Sequence, residues 1–156
     1  MNSVVLKVNG RQSRMNLEGH ETLLEVLRTQ LGLTGTKRGC DQEVCGSCTI
    51  LINGLAARSC LCLAALAADK TIVTVEGLER DGKLSPVQRA FVEAGAVQCG
   101  FCMPGMVIAA TALLAENPQP DKEAIRTALA GNLCRCSGYA KVVDAVWRAT
   151  PLGEDR

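Results

Sequence analysis

The chain has 156 residues, enough for one ordinary domain or two small ones. Its 17 basic and 16 acidic side chains are interspersed and leave a net charge of +1, which points away from a polyanion or an anionic membrane as partner. Nine cysteines meet one histidine, and Met1–Lys7 shows neither a basic, then apolar leader nor a twin arginine; a cytoplasmic protein with reduced thiols is expected, not an exported disulfide scaffold.

The first half reads as mixed β structure. Val4–Val8 and Gln12–Leu17 flank Asn9-Gly10, and Thr49–Ile52 and Leu55–Arg58 flank Asn53-Gly54. Asn-Gly between apolar-rich runs predicts a hairpin, because both turn residues need positive φ. Between the hairpins, Thr22 to Leu31 predicts a helix with a Thr22…Glu25 capping box and Gly32 as a stop. Leu61–Ala68 predicts a short helix, and Lys70–Glu76 a last strand. Strand pair, helix, cysteine loop, strand pair and final strand is the order of a ferredoxin-like β-grasp.

A polar stretch at Glu76–Leu84 marks a change to helical patterns. Ser85-Pro86 opens a helix to Glu93, with Ser85 as cap and proline in the first turn. Pro104 opens another to Glu116, stopped by Asn117-Pro118. The apolar run within it, Met103 to Ala115, is too short to span a bilayer. Asp121 caps a third helix bearing Ile125 and Leu129, and Ser137 is the expected cap of a fourth bearing Val142, Val143 and Val146. The predicted fold is therefore α+β: a β-grasp domain over 1–76 and a four-helix bundle domain over 77–156. Two domains of this size have thin cores, and a metal staple in each would compensate.

Eight cysteines fall into two sets of four. Cys40, Cys45 and Cys48 form C-x4-C-x2-C, the plant-type [2Fe–2S] spacing, in a loop where Gly39 and Gly46 permit irregular backbone. Cys60 and Cys62 both stand where the fourth ligand is needed, and spacing does not choose between them. The other fate of such a cysteine is a small buried apolar residue. The second set is Cys99 and Cys102, C-x2-C, with Cys134 and Cys136, C-x-C. Cys102 and Cys136 each precede a predicted helix, so both thiolates are expected near helix N-termini that converge on one cluster.

All-cysteine zinc is the competing use of C-x2-C pairs, and a zinc-stapled interaction module is the alternative reading. A lone histidine, His20, excludes a Rieske centre and histidine-based catalytic sites and is expected at the surface. Gly35-Thr36-Lys37 lacks the upstream glycine of a phosphate loop, and no G-x-G-x-x-G stands anywhere. No general base or nucleophile pair is assignable, so no substrate chemistry is expected on this chain.

Gly39–Cys48, Val97–Gly105 (VQCGFCMPG) and Gly131–Tyr139 (GNLCRCSGY), with Val75–Leu78 and Pro86–Phe91, resemble the small iron–sulfur subunit of the molybdenum hydroxylases. This is the family of xanthine dehydrogenase, aldehyde oxidase and aerobic carbon monoxide dehydrogenase, and the resemblance runs from Val4 to Trp147. It implies a plant-ferredoxin-like domain and a four-helix domain with one [2Fe–2S] cluster each. Cys60 becomes the fourth ligand of the first cluster, and Cys62 is left free. The cluster of Cys99, Cys102, Cys134 and Cys136 lies nearest a molybdopterin that Gln98 contacts. Electrons pass from there through the first cluster to FAD on another subunit. The implied partners are a large molybdopterin subunit and a medium FAD subunit, in a dimer of heterotrimers. A free-standing ferredoxin is a further alternative, although this near-neutral chain has no strongly charged docking face. Met103 and Ser137 stand where the family commonly has threonine, and Glu43-Val44 where many members have small residues.

Overall fold

A computed structural model describes residues 2–151 and 153, so Met1, residue 152 and residues 154–156, at the ends of the two expected domains, lie outside the described residues. Strands β1 (Asn2–Val8) and β2 (Arg11–Leu17) form an antiparallel hairpin across Asn9-Gly10, whose φ angles of 51° and 78° are the positive pair that the turn demands. β3 (Thr49–Ile52) and β4 (Leu55–Arg58) repeat this arrangement across Asn53-Gly54. β5 (Thr71–Val73) joins the hairpins, parallel to β1 and antiparallel to β3, to give one sheet in the order β2-β1-β5-β3-β4. Period-two burial turns Leu6 and Val8 of β1 and Met15 and Leu17 of β2 inward. They pack with Ile50, Ile72, Leu23, Val26 and Leu27 into the first core.

Three expectations for this half are corrected. The helix after Thr22 is α-helical only over α1 (Leu23–Glu25) and continues as a π-turn over Val26–Gln30. Thr22 caps it as expected, through Glu25 N–H, but the Thr29 hydroxyl then donates to the Glu25 carbonyl, a back-bond that distorts the ladder downstream. Leu61–Ala68 is not a helix but two 3-10 turns around an extended Cys62–Leu63, because Leu23 N–H bonds Cys62 O and Ala64 N–H bonds Glu21 O. The last strand stops at Val73, since Asn9 of the first turn takes Thr74: its Oδ1 accepts from Thr74 N at 2.9 Å and its Nδ2 donates to Thr74 Oγ1 at 3.0 Å. A 3-10 turn over Val75–Leu78 follows, and Val75 and Leu78 pack on the helical core.

The second half is helical: α2 (Pro86–Glu93), α3 (Met103–Glu116), α4 (Lys122–Leu129) and α5 (Ala140–Arg148). Ser85 and Gln88 form a reciprocal capping box on α2, and Asp121 caps α4 through Ala124 N–H. α2 packs on α3 and α5, and α4 packs on α3 and α5, around Phe91, Met106, Ile125, Leu129, Val142 and Val146. α3 is apolar around its whole circumference because it is covered on both sides, by the other helices and by β3 and β4. Among the described residues, no helix is long and apolar enough to cross a membrane.

Phe91 is 2 % exposed in this core, whereas its neighbour Val92 is 63 % exposed. Phe91→Ala is expected to cost about 3–5 kcal/mol and Val92→Ala less than about 0.5 kcal/mol, read from urea midpoints of the metal-loaded protein.

Candidate metal centres

The first cysteine set is built by the β3–β4 hairpin and the loop before it. Cys48 immediately precedes β3 and Cys60 lies in the 3-10 turn after β4, so the antiparallel register brings them side by side. Ser59 fastens the pair, its N–H and hydroxyl both donating to Cys48 O, the hydroxyl at 2.8 Å. The two thiols are buried together under Leu24. Burial first, and then the Cys48 thiol, push Cys60 up to about 11.

Cys40 and Cys45 make the other pair. The loop between them takes left-handed backbone at Asp41 and Glu43, and again at Gly46, which turns N–H groups inward. Cys45 N–H reaches Cys40 Sγ at 3.3 Å and Gln42 N–H reaches it at 3.4 Å. These donors, Cys45 first, bring Cys40 down to about 7. Gly39 is required by close approach, since a Cβ there would stand 2.8 Å from Cys45 Sγ.

In the second set Cys102 is buried at the N-cap of α3, and Cys99 is exposed in the irregular segment joining α2 to α3. Cys134 and Cys136 lie in the turns between α4 and α5. All four line one cavity. Burial first, and then the Cys134 thiol, push Cys102 up to about 12, so its place before α3 does not acidify it as expected. Burial opposes ionisation of Cys134 too, but the Ser137 hydroxyl at 3.0 Å, Ser137 N–H at 3.2 Å and Cys136 N–H at 3.4 Å outweigh it and bring Cys134 down to about 7.

Ser137 therefore donates to a sulfur and accepts from Tyr139 N–H at 3.2 Å, one residue short of the first turn of α5. α5 starts at Ala140 after a left-handed Tyr139, and Cys136 is exposed several residues before it, not at the helix N-terminus that the sequence suggests. Tyr139 Oη accepts from Cys134 N–H at 2.8 Å, a contact that no sequence pattern announced.

Cys62 is half-buried against the first core and belongs to neither set. Gln98 is exposed beside Cys99, and His20 is exposed near Glu18. A single cavity of about 520 Å³ is lined by Cys40 and Cys45 together with Cys99, Cys102, Cys134 and Cys136. The two sets thus face one another across the junction of sheet and helices.

Among the described residues, no three histidine, cysteine, aspartate or glutamate side chains are grouped to hold a single ion. A structural zinc needs four sulfurs converging on one point, whereas a [2Fe–2S] core takes two thiolates on each iron. Each set supplies the four thiols that such a core takes.

A family model described as a 2Fe-2S iron-sulfur cluster binding domain matches residues 6–71, and one described as a [2Fe-2S] binding domain matches residues 74–147. The nicotinate dehydrogenase small FeS subunit of Eubacterium barkeri is 47% identical over 144 residues, 92% of each chain. The xanthine dehydrogenase iron-sulfur-binding subunit of Escherichia coli O157:H7 is 49% identical over 142 residues, 89% of this chain and 88% of that one. The chain belongs to the small iron–sulfur subunits of the molybdenum hydroxylases. The crystal structure of quinoline 2-oxidoreductase from Pseudomonas putida 86 matches this subunit with a TM-score of 0.92 at 45% identity, over 99% of this chain and 94% of that one. The subunit carries two [2Fe–2S] clusters and transfers electrons within an oxidoreductase complex, which sets aside the zinc module and the free-standing ferredoxin.

In the iron-free subunit, alkylation by iodoacetamide should separate the thiols by acidity. Peptide mapping should show Cys40 and Cys134 gaining reactivity as pH rises through about 7, while Cys60 and Cys102 stay slow until near 11 and 12. Ser137→Ala should move the Cys134 midpoint upward, because it deletes the hydroxyl that stabilises the thiolate.

Proposed function

We propose that Cys40, Cys45, Cys48 and Cys60 hold one cluster and that Cys99, Cys102, Cys134 and Cys136 hold the other. Each iron would take one of the thiol pairs, Cys40–Cys45 and Cys48–Cys60 in the first, Cys99–Cys136 and Cys102–Cys134 in the second. The cavity that Cys40 and Cys45 share with Cys99, Cys102, Cys134 and Cys136, together with the burial of Cys48 against Cys60, carries this reading. A [2Fe–2S] core supplies reversible one-electron storage. The chain's own part is to orient the sulfurs, aim N–H donors at them and exclude water from the inner pairs.

The order of transfer follows from exposure. Cys99 and Cys136 lie at the surface, ringed by exposed Val97, Phe101 and Leu133. An apolar rim around an exposed donor pair supports docking on a larger protein. We read this face as the one toward the molybdopterin of the large subunit, with Gln98, exposed beside Cys99, as the pterin contact. Electrons then pass through the second set to the first and on to FAD of a medium subunit, in a dimer of heterotrimers located in the cytoplasm. Residues 1–76 and 77–156 form the two domains, the second a four-helix bundle. Nicotinate, xanthine and quinoline in the names of the relatives support a nitrogen heterocycle as the substrate oxidised on the large subunit.

Iron and acid-labile sulfide in the purified subunit should each approach about four per chain, for two clusters of two irons. Cys60→Ser should remove one cluster and Cys62→Ser neither; loss of iron in the Cys62 variant would reassign the fourth ligand. Cys136→Ser should spare the first cluster, whereas Gln98→Ala should keep all the iron and slow only electron entry from substrate.

A further inference from the structure

Three consecutive residues between α4 and Cys134 are each tied to the first cysteine loop or the β3–β4 hairpin that follows it. Gly131 O accepts from Arg58 Nη2 at 2.8 Å. Asn132 Nδ2 donates to Gly46 O at 3.0 Å and to Thr49 Oγ1 at 3.2 Å. Leu133 N–H donates to Cys45 O at 2.8 Å. The ties land on residues adjacent to a proposed ligand on both sides: Cys45 itself, Gly46 and Thr49 on one, Leu133 beside Cys134 on the other.

Asn132 is the centre of this junction. It is 2 % exposed, and its own N–H bonds Leu129 O at 2.9 Å, which fixes it to the end of α4. Its carboxamide donates across the junction without bringing a charge into a buried place. The approach is close enough to demand glycine opposite: a Cβ on Gly46 would stand 2.3 Å from Gly131 O, and one on Gly105 2.3 Å from Gly46 O. Packing of this kind has one register, and its loss frees the two halves to shift against each other.

We propose that Asn132 is a positioning residue for electron transfer between the two clusters, setting the separation and orientation of the two cysteine sets. The proposal rests on the ligand assignment above. Deleting the carboxamide leaves the Gly46 carbonyl bonded only within its own half, by Thr49, and opens a void at the junction, while every proposed iron ligand remains. A role confined to folding would lower stability and leave the relation between the clusters unchanged.

The test is electron paramagnetic resonance on the fully reduced complex, in which two paramagnetic centres in proximity split each other's signals according to distance and orientation. Asn132→Ala and, separately, Arg58→Met should retain about four irons per chain, the two-cluster content, and shift or lose this splitting. Stopped-flow reduction by substrate should show the second centre filling at its usual rate and the first more slowly. Full iron content with an unchanged splitting in both variants overturns the proposal, as does loss of a cluster in both. A wild-type complex without two distinct reducible centres overturns the ligand assignment instead, before any variant is compared.

Discussion

The carbonyl of Gly46 is the point on which this architecture turns. It accepts from Thr49 N–H, the Thr49 hydroxyl and the Asn132 carboxamide, and the first turn of α3 lies directly against it at Gly105. One peptide group therefore closes the first cysteine loop, starts β3 and receives the helical half. Nothing bulkier than glycine fits at either contact. With left-handed backbone at Gly46 as well, a substituted residue would be strained even if the space were found. From this contact follow the shared cavity and the facing of the two cysteine sets.

Burial and hydrogen bonding divide the thiols by chemistry within each set. Cys60 and Cys102 sit in dry surroundings that resist ionisation, while Cys40 and Cys134 are served by N–H and O–H donors that favour it. Under the proposed ligation, iron would have to displace protons from the first two, which lowers the net energy of binding. In return the inner sulfurs are shielded by Leu24 on one side and by the helical core on the other.

Much of this was legible in the sequence, for identifiable reasons. Both Asn-Gly hairpins and the Ser85 and Asp121 caps are local devices, whose residues act within a few positions of one another, and all stand where expected. The misreadings have a common source: a backbone or side-chain group found another partner than the one local pattern had assigned, sometimes near and sometimes far along the chain. Asn9 ends β5 from 65 residues away, Glu21 and Leu23 unwind the expected helix at Cys62, and Cys134 draws Ser137 off the start of α5. The spacing of the cysteines announced the two sets but not the pairs within them. Asn132 lay within the Gly131–Tyr139 stretch, but its role and that of Arg58 were hidden, because a carboxamide or guanidinium that bridges two halves looks like any polar residue until the chain is folded.

The loop from Cys40 to Gly46 has one further consequence. Left-handed backbone at Glu43, a residue that gains nothing from it locally, costs on the order of 1–3 kcal/mol. Under the proposed ligation the cluster would offset that cost, and an iron-free chain would bear it alone. Val44, at its tip, is exposed and offers an apolar side chain to a protease. The turn that shapes the sulfur cradle is thus also the place where an iron-free chain would open first to cleavage.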